Sequence, residues 1–265
     1  MSKIKIIAEI GANHNGDMTL AKEMIHAASE NGADYAKFQS WQADKIGPGP
    51  WDSPEPFFQF KNKREFYNNA QLTNDNHFEL IETCNKLNIR FLTTCFNIDR
   101  SDFLGTLGMD TIKIASCDSS STGMTTTSEF TGLIDQLENI GKKYAVLHCV
   151  SMYPTPIESI NMNRFNFIKS GIGQSGEFGI SDHSLGSFFP KVAVSLGATW
   201  IEKHFTTDKS IPGPDNFMSI DPDELLDIRK FCEDFEKLGF EETVESNIKE
   251  MDLRKIIDNR FGDNT

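Results

Sequence analysis

A chain of 265 residues, 38% of them hydrophobic, can bury a full core, and its length suits one large α/β domain or two small ones, which excludes a disordered or coiled-coil reading. The 26 Lys and Arg against 39 Asp and Glu leave a formal charge of −13, a field that repels nucleic acid and anionic lipid and obliges any anionic substrate to find a local basic pocket. No run of 18 apolar residues occurs, the first eleven residues lack the apolar core and cleavage site of a signal peptide, and five scattered cysteines without a C-x-x-C pair read as reduced thiols, so a cytoplasmic chain is expected.

The apolar run Ile4–Ile10 predicts a strand, and the amphipathic stretch Leu20–Asn31, closed by Gly32, predicts the helix that follows. The alternation recurs, with strands expected at 35–39, 90–96, 111–116, 144–149, 178–181 and 200–205, seven in all. Strands apolar on both faces imply a parallel sheet covered by helices, either a closed barrel or an open doubly wound sheet. Gly11-Ala12-Asn13-His14-Asn15-Gly16 after the first strand lacks the G-x-G-x-x-G spacing and no P-loop lysine follows, which disfavours a nucleotide-binding sheet. Polar residues instead cluster where strands end: Glu9 and Asn13, Lys37 and Gln39, Thr93 and Thr94, Lys113 and Ser116, Ser151 and Tyr153, Ser181 and His183, Glu202 and His204. In a (β/α)8 barrel those ends face one shared pocket.

Lys37 and Lys113 each interrupt an apolar strand, and a buried ammonium needs a carboxylate partner or a bound anion. A salt bridge to a core acid is the plainer alternative for each. Two such lysines beside the hydroxyls of Thr94, Ser116 and Ser181 look like a phosphate or carboxylate site. His183 and His204 end the last two strands and can converge on one divalent cation, with Asp182 and Glu202 beside them, although either histidine alone is more often structural. His148 reads as a core histidine, His14 as loop-shaping, and His26 and His77 as helix surface. Glu9 and Asp118 end the first and fourth strands, where burial tunes a carboxyl for proton transfer, or where a paired structural acid serves equally well. The rigid Ile211-Pro212-Gly213-Pro214 turn holds Asp215 over the pocket mouth, or lets it cap the helix that Asp221-Pro222-Asp223-Glu224 starts.

Eight ordered strings then matter together: Ile-Ala-Glu-Ile-Gly-Ala-Asn-His-Asn-Gly, Ala-Lys-Phe-Gln, Lys-Ile-Ala-Ser, Ser-Thr-Gly-Met, Leu-His-Cys-Val-Ser-Met-Tyr-Pro-Thr-Pro, Ser-Asp-His-Ser-Leu-Gly, Glu-Lys-His-Phe-Thr and Pro-Gly-Pro-Asp. From about residue 6 to about residue 225 they closely resemble the N-acetylneuraminate (sialic acid) synthase family. The resemblance implies an α/β (β/α)8 TIM-type barrel, residues 1–245, and a C-terminal extension, residues 246–265, similar to the linker before an antifreeze-like domain. It implies a transferase that joins phosphoenolpyruvate to an N-acetylated amino sugar, of the N-acetylmannosamine type, giving a nine-carbon 2-keto sugar acid and phosphate. By motif position Lys37, Thr94, Lys113, Ser116, Ser151, Tyr153 and Ser181 would bind phosphoenolpyruvate. His183 and His204 would hold Mn²⁺ or a similar ion, Mg²⁺ or Co²⁺; Glu9 and Asp118 would handle protons, and Asp215 would grip the sugar. A homodimer acting on small molecules, with neither nucleic acid nor membrane as partner, follows from the same resemblance.

Three departures stand against it. Between Lys113-Ile-Ala-Ser-Cys-Asp118 and Ser121-Thr-Gly-Met124 the family has a helix and a further strand, whereas this sequence has only Ser119 and Ser120. One β/α unit is therefore missing, or omitted from the sequence as read, around residues 117–122. The five steps from Ser116 to Ser121 span at most about 17 Å, too short for a parallel crossover. The antifreeze-like domain, which gives an arginine to the partner's sugar site, is also not in the sequence. Ser151 stands where some members have asparagine, and Asp118 where some have glutamate. The rival readings are a legionaminate or pseudaminate synthase, a non-catalytic barrel that binds phosphoenolpyruvate or sugar, and, least favoured by the charge of −13, a metal-dependent phosphodiesterase.

Overall fold

Seven parallel strands alternate with helices in the computed structural model, which describes residues 3–49, 52–114, 126–238, 251, 252 and 254. The strands are β1 (Lys5–Gly11), β2 (Tyr35–Ser40), β3 (Arg90–Cys95), β4 (Lys113–Ile114), β5 (Tyr144–Cys149), β6 (Gly176–Asp182) and β7 (Trp200–His204). The helices are α1 (Met18–Glu30), α2 (Lys63–Ala70), α3 (Asn74–Lys86), α4 (Ile98–Gly105), α5 (Thr127–Ile140), α6 (Met162–Gly171), α7 (Phe188–Ser195) and α8 (Pro222–Lys237). The order across the sheet is β4-β3-β2-β1-β7-β6-β5. The sheet curls until its two edge strands line one cavity, but among the described residues β4 and β5 do not pair. The unit expected to be missing around 117–122, and the division expected at 245/246, lie outside the described residues.

Side chains alternate between the two faces of each strand, so each strand serves two cores. The outer face, with Ile6, Ala8, Ile10, Ala36, Phe38, Phe178, Ile180 and Ile201, packs on Met24 and Ile25 of α1 and Leu225 and Ile228 of α8. The inner face places Ile7, Tyr35, Leu92, Leu147 and Trp200 together as the floor of the lumen. There the Arg90 guanidinium lies 3.9 Å over the Tyr35 ring, Tyr35 stacks on Trp200 at 5.5 Å, and Lys5 Nζ sits 4.2 Å from the Trp200 ring while pairing with Glu177 at 2.6 Å. Such cation–π and stacked contacts add directional cohesion to apolar burial.

Helix starts follow capping chemistry. Asp17 accepts from the Thr19 and Leu20 amides at α1, and Asp221 with Glu224 forms a capping box at α8 with Pro222 in the first turn. None of the described helices is long and apolar enough to cross a membrane.

His77, expected on a helix surface, is fully buried on α3, with its Nδ1 2.7 Å from the Thr73 carbonyl and the buried Arg100 of α4 beside its ring. Burial pushes His77 and the equally buried His14 down to about 4 from the usual 6.5. Both are neutral in the folded chain at neutral pH, and the unfolded chain takes up their protons first on acidification. Stability is therefore lost as pH falls from 6.5 towards about 4, at up to roughly 1.4 kcal/mol per pH unit for each histidine. Urea midpoints measured between pH 7 and pH 4.5 should fall steeply in wild type and less steeply in His77→Gln; parallel slopes would remove His77 from the explanation.

Candidate active site

Two residues above the apolar floor, on the same inner face, the lumen turns ionic. Glu9, Lys37, Thr94, Ser181 and Glu202 follow Ile7, Tyr35, Leu92, Gly179 and Trp200 by two positions, and the register sets Glu9 opposite Lys37 and Ser181 opposite Glu202. Lys37 Nζ lies 2.7 Å from Glu9 Oε2 as an ion pair, 3.7 Å from Glu202 Oε2, and donates to Thr94 Oγ1 at 3.2 Å. Lys113 reaches from β4 across the lumen to donate to both Glu202 oxygens, at 3.0 and 2.9 Å. Ser181 Oγ donates to Glu202 Oε1 at 2.8 Å, and Gln39 Nε2 to Glu9 Oε1 at 2.8 Å. Both readings of the lysines thus meet in one place: each is paired to an acid, and both pairs converge with the two hydroxyls at strand ends.

The electrostatics keep Lys37 and Glu202 charged. Burial disfavours the Lys37 ammonium, but Glu202 and Glu9 outweigh it and hold its pKa above the usual value. Burial likewise opposes the Glu202 carboxylate, and Lys113 and Lys37 outweigh it, holding Glu202 well below the carboxylate range. Two lysines against two glutamates leave this layer neutral. Glu202 was expected only as a neighbour of the histidines; it is the hub of the layer. The signal was present, because Glu202 precedes His204 by two residues and so shares its face.

Above the ionic layer sit three rings. His183 lies 4.1 Å from the Tyr153 ring and 5.4 Å from the His204 ring, centroid to centroid. His183 Nδ1 is 2.8 Å from the Val150 carbonyl, a contact that assigns the proton to Nδ1 and leaves Nε2 as a bare donor atom. Burial first, and His204 next, push His183 down to about 3, so the ring is neutral at any ordinary pH. His204 Nδ1 is buried without a hydrogen-bond partner, 3.7 Å from Asp215 Oδ2. Paired imidazoles, one oriented by a backbone carbonyl and one with an orphaned nitrogen, fit the donor set of a divalent cation. No group of three or more such ligands occurs among the described residues, so the pair would leave most coordination positions to other molecules.

Asp182 does not join the histidines. The two-residue period turns it to the outer face, where it pairs with the buried Lys203 at 3.0 Å and accepts from Ser184. Asp215 stands by His204, and Asp221 rather than Asp215 caps α8. Ser151 is half-buried and is not among the residues lining the cavity, whereas Tyr153 is. Ser116 and Asp118 lie outside the described residues. His148 is the expected core histidine, its Nε2 2.8 Å from the Ile160 carbonyl. The cavity, of about 730 Å³, runs from Lys5 and Glu177 past the ionic layer to His183 and His204, room enough for a drug-sized ligand.

A curled parallel α/β sheet with its charged groups at the carboxyl ends of the strands defines a barrel-type enzyme site. The sequence matches the model of the NeuB family over residues 24–121 and 119–242. It is 36% identical over 287 residues to an N,N'-diacetyllegionaminic acid synthase of Legionella pneumophila, covering 95% of this chain and 78% of that protein. It is 33% identical over 239 residues to a pseudaminic acid synthase of Helicobacter pylori, covering 82% and 70%. Its structure resembles the crystal structure of an N-acetylneuraminic acid synthetase from Leptospira borgpetersenii in complex with citrate, with a TM-score of 0.83, 28% identity and coverage of 96% and 91%. The chain belongs to the NeuB family of sugar acid synthases. The two matched segments overlap at residues 119–121, within the stretch where a β/α unit is expected to be missing, and the Legionella alignment of 287 residues is longer than this chain of 265.

Proposed function

We propose that the protein condenses phosphoenolpyruvate with an N-acetylated amino sugar of the N-acetylmannosamine type, giving a nine-carbon 2-keto sugar acid and phosphate. The observation that carries this reading is the convergence of Lys37, Lys113, Thr94 and Ser181 at the strand ends, three buried donor side chains and the half-buried Lys113 in one layer. They bind and orient the phosphate and carboxylate of phosphoenolpyruvate, with Tyr153 above them. C3 of the enol ester bonds to the aldehyde carbon of the sugar, water adds at C2, and the C2–O bond to phosphate breaks, so one water is consumed and one phosphate released. Glu9, held between Lys37 and Gln39, moves protons at its carboxyl oxygens. Asp215, which stands 3.7 Å from His204 and is not among the residues lining the cavity, accepts from sugar hydroxyls. His183 and His204 would hold Mn²⁺, Mg²⁺ or Co²⁺, which when bound supplies Lewis acidity towards the sugar aldehyde. The same reading includes a homodimer at work in the cytoplasm, in surface polysaccharide biosynthesis.

The names of the 36% identical relatives from Legionella pneumophila and Campylobacter jejuni favour a second sugar, the 6-deoxy diacetamido precursor of N,N'-diacetyllegionaminic acid. Phosphate release from phosphoenolpyruvate by purified protein with Mn²⁺ tests both, with each sugar in turn and then EDTA. Sugar-dependent, EDTA-sensitive release supports a metal-dependent synthase and identifies its sugar. Binding of phosphoenolpyruvate without release under any of these conditions would replace the synthase with a non-catalytic barrel.

A further inference from the structure

The inner layer holds a carboxylate where an anion site has no need of one. Glu202 is buried on β7, and its two oxygens take both contacts from Lys113, at 3.0 and 2.9 Å, and the hydroxyl of Ser181, at 2.8 Å, while Lys37 Nζ stands 3.7 Å away. Lys113, Lys37 and Ser181 are three of the four donors assigned above to the anionic groups of phosphoenolpyruvate. Ser181 has one hydroxyl proton, and it is spent on Glu202. An incoming phosphate or carboxylate therefore meets donors that are already engaged by an oxyanion of similar size and the same charge sign. Both anions cannot hold the same protons, and side by side they repel.

We propose that Glu202 is an internal occupant of the anion pocket. It is a positioning residue that holds Lys113, Lys37 and Ser181 in place when no ligand is bound and gives them up to the substrate anion, and so sets the affinity for phosphoenolpyruvate and the ease with which phosphate leaves. The position of Lys113 explains why an occupant is needed. Among the described residues β4 is Lys113–Ile114 and pairs with β3 alone, so the Glu202 contact is what ties the Lys113 ammonium to the opposite wall of the lumen. The inference rests on the anion-binding reading of the site.

The test is titration of inorganic phosphate and of phosphoenolpyruvate into wild type, Glu202→Gln, Glu202→Asp and Lys113→Ala, followed by steady-state kinetics. Glu202→Gln keeps the shape and removes the charge, and should bind both anions at least tenfold more tightly. Its KM for phosphoenolpyruvate should fall together with kcat, because nothing then reclaims the donors from phosphate. A purely structural residue would raise KM and lose kcat. Glu202→Asp, charged but shorter, should bind with intermediate affinity, and it decides the question if Glu202→Gln does not fold. Unchanged or weaker phosphate binding in both variants overturns the proposal while leaving the anion site standing. Absence of anion binding in wild type and every variant overturns the anion site, and this proposal with it.

Discussion

Lys37→Met is expected to destabilise the fold by about 3–5 kcal/mol, the usual cost of stranding one member of a buried ion pair. The carboxylate left behind, Glu9, is 2% exposed, and its neighbours are the Gln39 amide and the backbone of the β1 end. Methionine matches the length of lysine, so the loss is one of charge more than of volume. For a domain of this size each kcal/mol moves the melting temperature by roughly 2–4 °C, which places the variant about 6–20 °C below wild type. Neutralising both partners in Lys37→Met/Glu9→Gln removes the stranded charge and should recover most of the loss, giving a large coupling in the double-mutant cycle. Thermal or urea melts of the four proteins check this, and a Lys37→Met variant within 1 kcal/mol of wild type would show that water reaches Glu9.

His183→Ala should reduce turnover by about 10²–10³-fold, the scale seen when one preorganised electrostatic contact to a reacting group is removed. The Val150 carbonyl fixes the ring, and burial keeps it neutral down to about pH 3, so it is ready to coordinate throughout the neutral range. The same substitution should abolish saturable Mn²⁺ binding measured by calorimetry while phosphate binding at the ionic layer survives. Wild-type turnover with an unchanged Mn²⁺ isotherm would sink the pairing of His183 with His204 as a metal site. Loss of phosphate binding as well would say that the upper rings and the ionic layer fold as one unit.

Most of the architecture was legible because each strand is apolar on both faces and each ends in polar residues, which only a covered parallel sheet explains. The two-residue period also placed Glu9, Lys37, Thr94, Ser181 and His204 on one side, and would have excluded Asp182, which stands between Ser181 and His183 on the opposite face. What could not be read was partnership across the lumen. Lys113 and Glu202 are 89 residues apart and belong to strands four places apart in the sheet, so nothing local announces their contact. His77 was hidden for a similar reason: its helix carries many polar residues, and the group that covers it, Arg100, comes from the next helix. β4 falls within the strand expected at 111–116, and its described part is Lys113–Ile114.

The first strand in the chain is the central strand of the sheet. β1 is hydrogen-bonded on one side to β2, only some thirty residues on, but on the other to β7, with Lys5 opposite Trp200. At a synthesis rate of about 5–20 residues per second, β1 waits on the order of 10–40 s on the ribosome before its second partner exists. During that interval β1 to β4 can assemble as a sheet whose exposed edge is its most apolar strand, the kind of edge that pairs with whatever strand it meets. Closure of the β1–β7 ladder is thus a late, long-range step. A nascent chain stalled before residue 200 should be markedly more prone to aggregation than the released full chain, in which β7 is free to pair with β1.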